Sequence, residues 1–360
     1  MTPKAPGRCR AGIRTGREQF RLEMNEGVAH AVFGIPSPSD GMHQTELETL
    51  EAEVARCWWA AARVGDLEQA WRQSDRLIAA GKLRFDLPRF FRPLWNGTPV
   101  DQRPVLVRCW RGLGDAIHYV RYIPLLKKRA ESVCLEAREE LIPLFTCLQP
   151  DQIVPLDSLL KPPAGTVEIE STELPYVFRT TIETIPRDVP YLRVSSSLPT
   201  PVPPDKPNIG LCWAGGSFDP RRALPLESLA PLAEVPNLNW FRLQPEDTAA
   251  GDFPFVNPAG RPMDILGIAC LISQLDLVIT VDTMVAHLAG ALARPVWTLL
   301  HSDADWRWFQ GRPDSPWYPT MQLFRQRRPG FWHEPVEKLA VELANRSTAF
   351  ISARVITGCV

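Results

Sequence analysis

The strongest periodic signal lies between residues 275 and 300, LDLVITVDTMVAHLAGALARPVWTLL. Residues 275–281 form a short, β-branched apolar run of the kind that fills a parallel strand buried on both faces. Val285, Leu288, Ala289 and Leu292 then recur at helical spacing. Arg294-Pro295 stops that helix, and residues 296–300 read as a second strand. Asp282 and Thr283 thus fall at the carboxyl end of a strand and the start of a helix, where open α/β sheets bind ligands. The free amides and dipole of a helix start favour an anion such as a diphosphate. His287 lies about one turn further in. The plainer alternative makes Asp282 a helix cap and His287 a core residue.

The same rhythm recurs upstream. Residues 105–110, VLVRCW, read as a buried strand that leads through Arg111-Gly112-Leu113-Gly114-Asp115 into a helix over 116–130. Two glycines at a strand-to-helix turn permit close backbone approach to a ligand, although the pattern falls short of the GxGxxG fingerprint. Asp115 would sit at the carboxyl edge of that strand, as a helix cap or facing a cleft. Further strands are predicted at 132–137, 152–156, 208–214 and 240–243, and helices over 139–148, 172–185, 226–233, 263–273 and 331–343. This alternation predicts an α/β protein with two doubly wound domains. Between them lies SSSLPTPVPPDKP, a proline-rich stretch with little to bury.

Residues 45–80 read as two helices broken near Gly65-Asp66, with Thr45 a candidate cap. Trp58, Ala61 and Ala62 can pack against Leu67, Ala70, Trp71 and Leu77. The pair resembles one degenerate tetratricopeptide unit. A single repeat cannot bury its own face, so docking on the following domain is expected. The resulting plan is a disordered region 1–44, a helical hairpin with connector 45–96, a first α/β domain 97–197, a linker 198–207, a second domain 208–345 and a tail 346–360.

Composition narrows the function. The net charge of −1 over 360 residues gives no electrostatic case for nucleic acid or an anionic membrane surface. The 36 prolines are about twice the usual share and are expected mostly between elements. Eight cysteines without a CxxC pair read as buried reduced thiols of a cytoplasmic protein. No apolar run reaches the roughly 18 residues of a membrane span, and no secretory signal is visible, so the protein is expected not to be transmembrane. Twelve tryptophans are many, and they are read as core rather than as stacking platforms.

RGLGDAIHYVRYIPLL resembles the N-terminal glycine–aspartate motif of glycosyltransferase family 9, the ADP-heptose:lipopolysaccharide heptosyltransferase-like enzymes. VDTMVAHLAGALARPVWTLL resembles that family's C-terminal donor-site motif. The stretch through DWRWF, SPWYP and LFRQ is similar to a subgroup in which this domain ends bacterial tetratricopeptide-repeat proteins. The resemblance covers roughly residues 95–343, and the two motifs in this order make it specific.

The resemblance implies a GT-B fold, with two Rossmann-like domains facing across a cleft, and glycosyl transfer from a nucleotide-diphosphate sugar. By it, Asp115 would be the acceptor-side general base. Gly112 and Gly114 would allow close approach of the donor, and Asp282, Thr283 and His287 would contact it. Arg221 and Arg222 stand near where the family places a basic residue against the diphosphate. Met284 replaces the glycine that heptosyltransferases generally carry after the Asp-Thr pair, and its side chain would crowd a heptose. A single displacement would invert the anomeric centre with no metal or cofactor. Asp303-Ala-Asp305 is a DxD, a pattern that holds a divalent cation in other glycosyltransferases, but no metal is expected here. The acceptor is an unspecified glycan, lipid or protein. The rival reading is a non-catalytic GT-B-like assembly module that docks through its N-terminal helices. The missing glycine fingerprint argues against a Rossmann dehydrogenase, and the absence of GxSxG against a serine hydrolase.

Overall fold

The computed structural model describes residues 45–79, 94–156, 161–194, 202–216, 218–244, 251–256 and 264–357. The expected disorder of 1–44 lies outside them, as does most of the proline-rich stretch. Met1–Ala55 and Arg56–Val360 form two compact units, and the architecture below is that of the second.

It contains two sheets. The first holds β1 (Pro104–Arg108), β2 (Ser132–Ala137), β3 (Gln152–Pro155) and β4 (Val167–Glu170) in the order β3-β2-β1-β4, all parallel. The second holds β5 (Asn208–Cys212), β6 (Asn239–Arg242), β7 (Leu277–Val281), β8 (Val296–Leu300), β9 (Asp314–Ser315) and β10 (Tyr318–Arg325). Its order is β6-β5-β7-β8-β10-β9, parallel except for the short antiparallel β9. Each sheet reverses direction beside its first strand, β1 between β2 and β4 and β5 between β6 and β7. Such switch points open a crevice at the carboxyl ends of the strands. The glycine–aspartate turn after β1 and the Asp282-Thr283 turn after β7 both lie at these crevices.

Side-chain alternation explains the layering. Leu277, Ile279 and Val281 of β7 point into a core shared with Val336, Leu339 and Leu343 of the last helix, whereas Val278 points into the core on the other face. The helices are α1 (Thr45–Arg63), α2 (Leu67–Ala79), α3 (Leu113–Tyr119), α4 (Ile265–Gln274), α5 (Met284–Ala291) and α6 (His333–Thr357). Helix α6 runs well into the expected tail.

Several other helices are shorter than periodicity predicts, and proline is the reason. The helix expected over 116–130 is α3, then a tighter turn at Val120–Tyr122 and a single turn at Ile123–Leu126. Ile142–Phe145, Leu174–Val177 and Ala230–Ala233 are likewise single turns with proline at their start. Proline has no N–H to continue a helix and clashes with the turn before it, but suits a first turn. Pro124, Pro143, Pro175 and Pro231 therefore lie within short helices rather than between elements. The helix expected over 172–185 ends at Val177 for a further reason. Arg179 takes a φ of 49°, and the Thr184 hydroxyl accepts from the Thr181 amide at 2.8 Å, closing turns instead of a helix.

Within the second unit, residues 56–79 of the hairpin of α1 and α2 touch both sheet-bearing halves. Toward the first sheet, the Trp71 indole donates to the Thr180 carbonyl at 2.7 Å, and Asp75 accepts from Tyr176 at 2.6 Å and from Arg179 at 2.7 Å. Toward the second, Trp306 meets Trp58 and Trp71 edge-on, with centroids 5.5 and 6.4 Å apart, and the Gln310 amide donates to the Arg63 carbonyl at 2.7 Å. The six described cysteines are all free thiols, of which Cys109, Cys212 and Cys270 are buried. No helix among the described residues is long and apolar enough to cross a membrane.

Candidate active site

The amino ends of α3 and α5 meet. A Cβ on Gly114 would lie 3.0 Å from His287 Cδ2 and 3.4 Å from the Met284 Cα, so the absent side chain is what permits the contact. Asp115, on the next residue of α3, is thereby brought beside the 282–287 turn from 167 positions away in the chain.

Thr283, not Asp282, caps α5: its hydroxyl accepts from the Val285 amide at 3.1 Å. The Asp282 carboxylate is left free of capping yet is only 7% exposed. Burial raises its pKa, against the opposing pull of Arg307 and Arg222. Its Oδ1 lies 4.0 Å from His287 Nε2. The His287 ring stacks on Trp308, with centroids 5.3 Å apart and planes at 15°.

Asp115 has two partners. Its Oδ2 accepts from the Gly112 amide at 3.2 Å, so the capping role is realised in part. Its Oδ1 accepts from Arg307 Nη1 at 2.7 Å. Arg307 reaches over from the loop after β8, and its guanidinium also holds Asp305 at 2.8 Å. Its side chain is 13% exposed, so a largely desolvated cation joins the two sides of the site.

The two arginines after β5 differ. Arg222 donates to the Asp282 carbonyl at 3.1 Å and so stands at the site. Arg221 is exposed, tied to Asp219 at 2.8 Å and Asp303 at 3.2 Å. Asp303 also meets Arg63 of α1. Both carboxylates of the DxD are thus paired with arginine. Among the described residues no group of three or more His, Cys, Asp or Glu side chains could hold a metal ion. Arg307 is the member of this cluster that sequence reasoning missed; the DWRWF string stood out, but nothing in it shows that its arginine meets Asp115.

Behind the turn lies a closed polar cluster. Tyr318 Oη is 2.9 Å from His118 Nδ1 and 3.0 Å from His287 Nδ1. Tyr318 lies flat against α5 because residue 290 is glycine: a Cβ there would fall 2.3 Å from the ring. Burial lowers both histidine pKa values well below 6.5, aided by Arg121 and His287 at His118 and by Arg307 and Arg121 at His287. Both rings are therefore neutral in the native protein.

A pH effect follows. Below about pH 6.5 the unfolded chain binds two protons that the native protein refuses, so stability falls with falling pH, by up to about 1.4 kcal/mol per unit for each histidine. Glu173 works in the opposite sense. Burial pushes it to about 7, so its contribution falls as pH rises from 4.5 toward that value. The histidine part is read as a difference: denaturation between about pH 5 and 7 should give a flatter histidine contribution in His287→Gln than in the parent. An unchanged slope would mean that His287 is not held neutral.

Residues 246–309 match the family model of glycosyltransferase family 9 (heptosyltransferase). The match takes in α4, β7, α5, β8 and Arg307; Asp115 lies outside it. The curated Protein FlbA of Caulobacter vibrioides is 24% identical over 374 residues, which cover 90% of this chain and 59% of that protein. The chain therefore spans about three fifths of that relative's length. Among solved structures, E. coli ADP-heptose lps heptosyltransferase II matches with a TM-score of 0.50 and 14% identity over 70% of this chain and 99% of its own. The glycosyltransferase family 9 structure from Veillonella parvula matches with a TM-score of 0.45 and 11% identity, over 71% and 99%. The likeness to heptosyltransferase II shows a common GT-B fold. The family likeness itself lies in the second half of the chain, around the 282–287 turn.

Proposed function

We propose that the protein moves a sugar from a nucleotide-diphosphate sugar to an acceptor hydroxyl by a single inverting displacement. The observation that carries this reading is the meeting of Asp115 with the 282–287 turn through Gly114 and Arg307. Asp115 takes the proton of the acceptor hydroxyl as it attacks the anomeric carbon. Asp282, Thr283 and His287 hold the donor, while Gly112 and Gly114 let the turn before α3 close against Asp115 and α5 at the donor side. Arg222, with Arg221 further out, meets the diphosphate, and Arg307 adds a second cation beside Asp115. Guanidinium groups supply the positive charge that the leaving diphosphate needs, so the displacement runs without a metal. Met284 is partly buried at the start of α5 and narrows the room for the sugar. The acceptor is a glycan, lipid or protein met in the bacterial cytoplasm. The hairpin is a tetratricopeptide-like unit, as in repeat proteins that end in this domain.

The occupied state of Asp115, shared between Arg307 and the Gly112 amide, favours the second reading, an assembly module without turnover. Thermal melting with ADP-, UDP-, GDP- and CMP-sugars tests the first. A donor at 100 times its Kd should stabilise the protein by about 2.7 kcal/mol. If no sugar nucleotide moves the melting curve at millimolar concentration, the transferase reading falls and the assembly reading takes its place.

A further inference from the structure

The closed cluster behind the turn contains one phenolic proton and two imidazoles competing for it. The Tyr191 hydroxyl donates to the Ile117 carbonyl at 3.0 Å and accepts from Arg121 Nη2 at 3.1 Å. Its own proton is thus committed, and it stands 3.4 Å from Tyr318 Oη, further than either histidine. Arg121 covers the Tyr318 ring at 4.3 Å and gives its other donors to the Trp317 and His118 carbonyls. The phenolic proton of Tyr318 therefore goes to one Nδ1, and the other Nδ1 must carry a proton and donate to the phenol oxygen. The two histidines are opposite tautomers.

Surroundings decide which is which. His287 Nε2 faces Asp282, where an N–H meets a carboxylate and a lone pair would meet lone pairs. His118 Nε2 is fully buried without a hydrogen-bond partner, and an unmatched acceptor there costs less than an unmatched N–H. Both arguments put the Tyr318 proton on His287 Nδ1.

We propose that Tyr318 is a positioning residue that fixes His287 with its own proton on Nε2, directed at Asp282 and the donor side of the site. Its link to catalysis rests on the transferase reading: a neutral His287 then presents an N–H to the donor's diphosphate or sugar. His118 supplies the N–H that orients the phenol. Without the hydroxyl, His287 Nδ1 has no donor and its proton can move there, leaving a lone pair on Nε2 toward anionic neighbours.

Nitrogen-detected NMR of the protein labelled in its histidine rings tests this directly. His287 should show a protonated Nε2 and an unprotonated Nδ1, and His118 the reverse. Tyr318→Phe keeps the ring that packs on Gly290 and should shift His287 toward protonated Nδ1. If both histidines share one tautomer in the parent protein, or if Tyr318→Phe leaves the His287 pattern unchanged, the proposal is overturned. The parent spectrum decides even if the variant fails to fold. Once a donor is identified, Tyr318→Phe should also lower turnover about 10- to 100-fold, the loss seen when the orienting partner of a metal-ligating histidine is removed. The NMR readout needs no activity, so its failure and the failure of the transferase reading are separate results.

Discussion

Asp115→Asn should lower turnover about 10²- to 10⁴-fold, the usual yield of one general base, while nucleotide-sugar binding changes little. Asparagine keeps the shape and can still accept from the Gly112 amide, but it cannot take a proton from the acceptor. It also removes a negative charge 2.7 Å from Arg307, leaving that guanidinium to Asp305. The freed cation would favour the diphosphate, so donor affinity should hold or rise. The measurement is donor turnover beside donor binding on one preparation. Equal turnover in parent and variant would remove Asp115 from the chemistry and leave it as the cap and ion-pair partner it also is.

Trp71→Ala should cost about 3–5 kcal/mol in denaturant unfolding, as large aromatic deletions from a core do. Trp71 is 4% exposed. Its indole bonds the Thr180 carbonyl, and its ring touches Trp58, Tyr176 and Trp306, with centroids 6.0, 5.7 and 6.4 Å apart. Deletion leaves a cavity among rigid rings that cannot collapse into it. The damage should reach the site, because Trp306 precedes Arg307, and nucleotide stabilisation should shrink with it. A loss below about 1 kcal/mol would make the hairpin a peripheral addition rather than part of this core.

What the sequence revealed follows from the kind of signal each element carries. Strands β2 and β8 are apolar, bounded and found where patterning puts them, and the strand–turn–helix around Asp282 is legible because burial on both faces leaves only one reading. Strand β4 was missed. Its sequence, VEIE, looks like surface, yet Glu168 and β2's Glu136 meet Arg108 at 2.5 and 2.9 Å, a pairing invisible until the sheet is assembled. Strand β10 was missed because Tyr318-Pro319 opens it and its residues look like loop. In the site, the motif residues were visible as motifs, but their partners were not. Arg307 and Tyr318 reach them from loops and strands 192 and 31 positions away, and no local pattern encodes such contacts.

The hairpin touches the first half through Asp75 and Thr180 and the second through Trp306 and Gln310, while α3 rests on α5 between the two halves. Three bodies, each in contact with the other two, make a closed triangle. A two-domain protein joined along one seam can swing open like a book. Here the book has a clasp: swinging the halves apart about the α3–α5 seam must slide indole over indole or part Asp75 from Arg179. To part that seam, the clasp has to let go first.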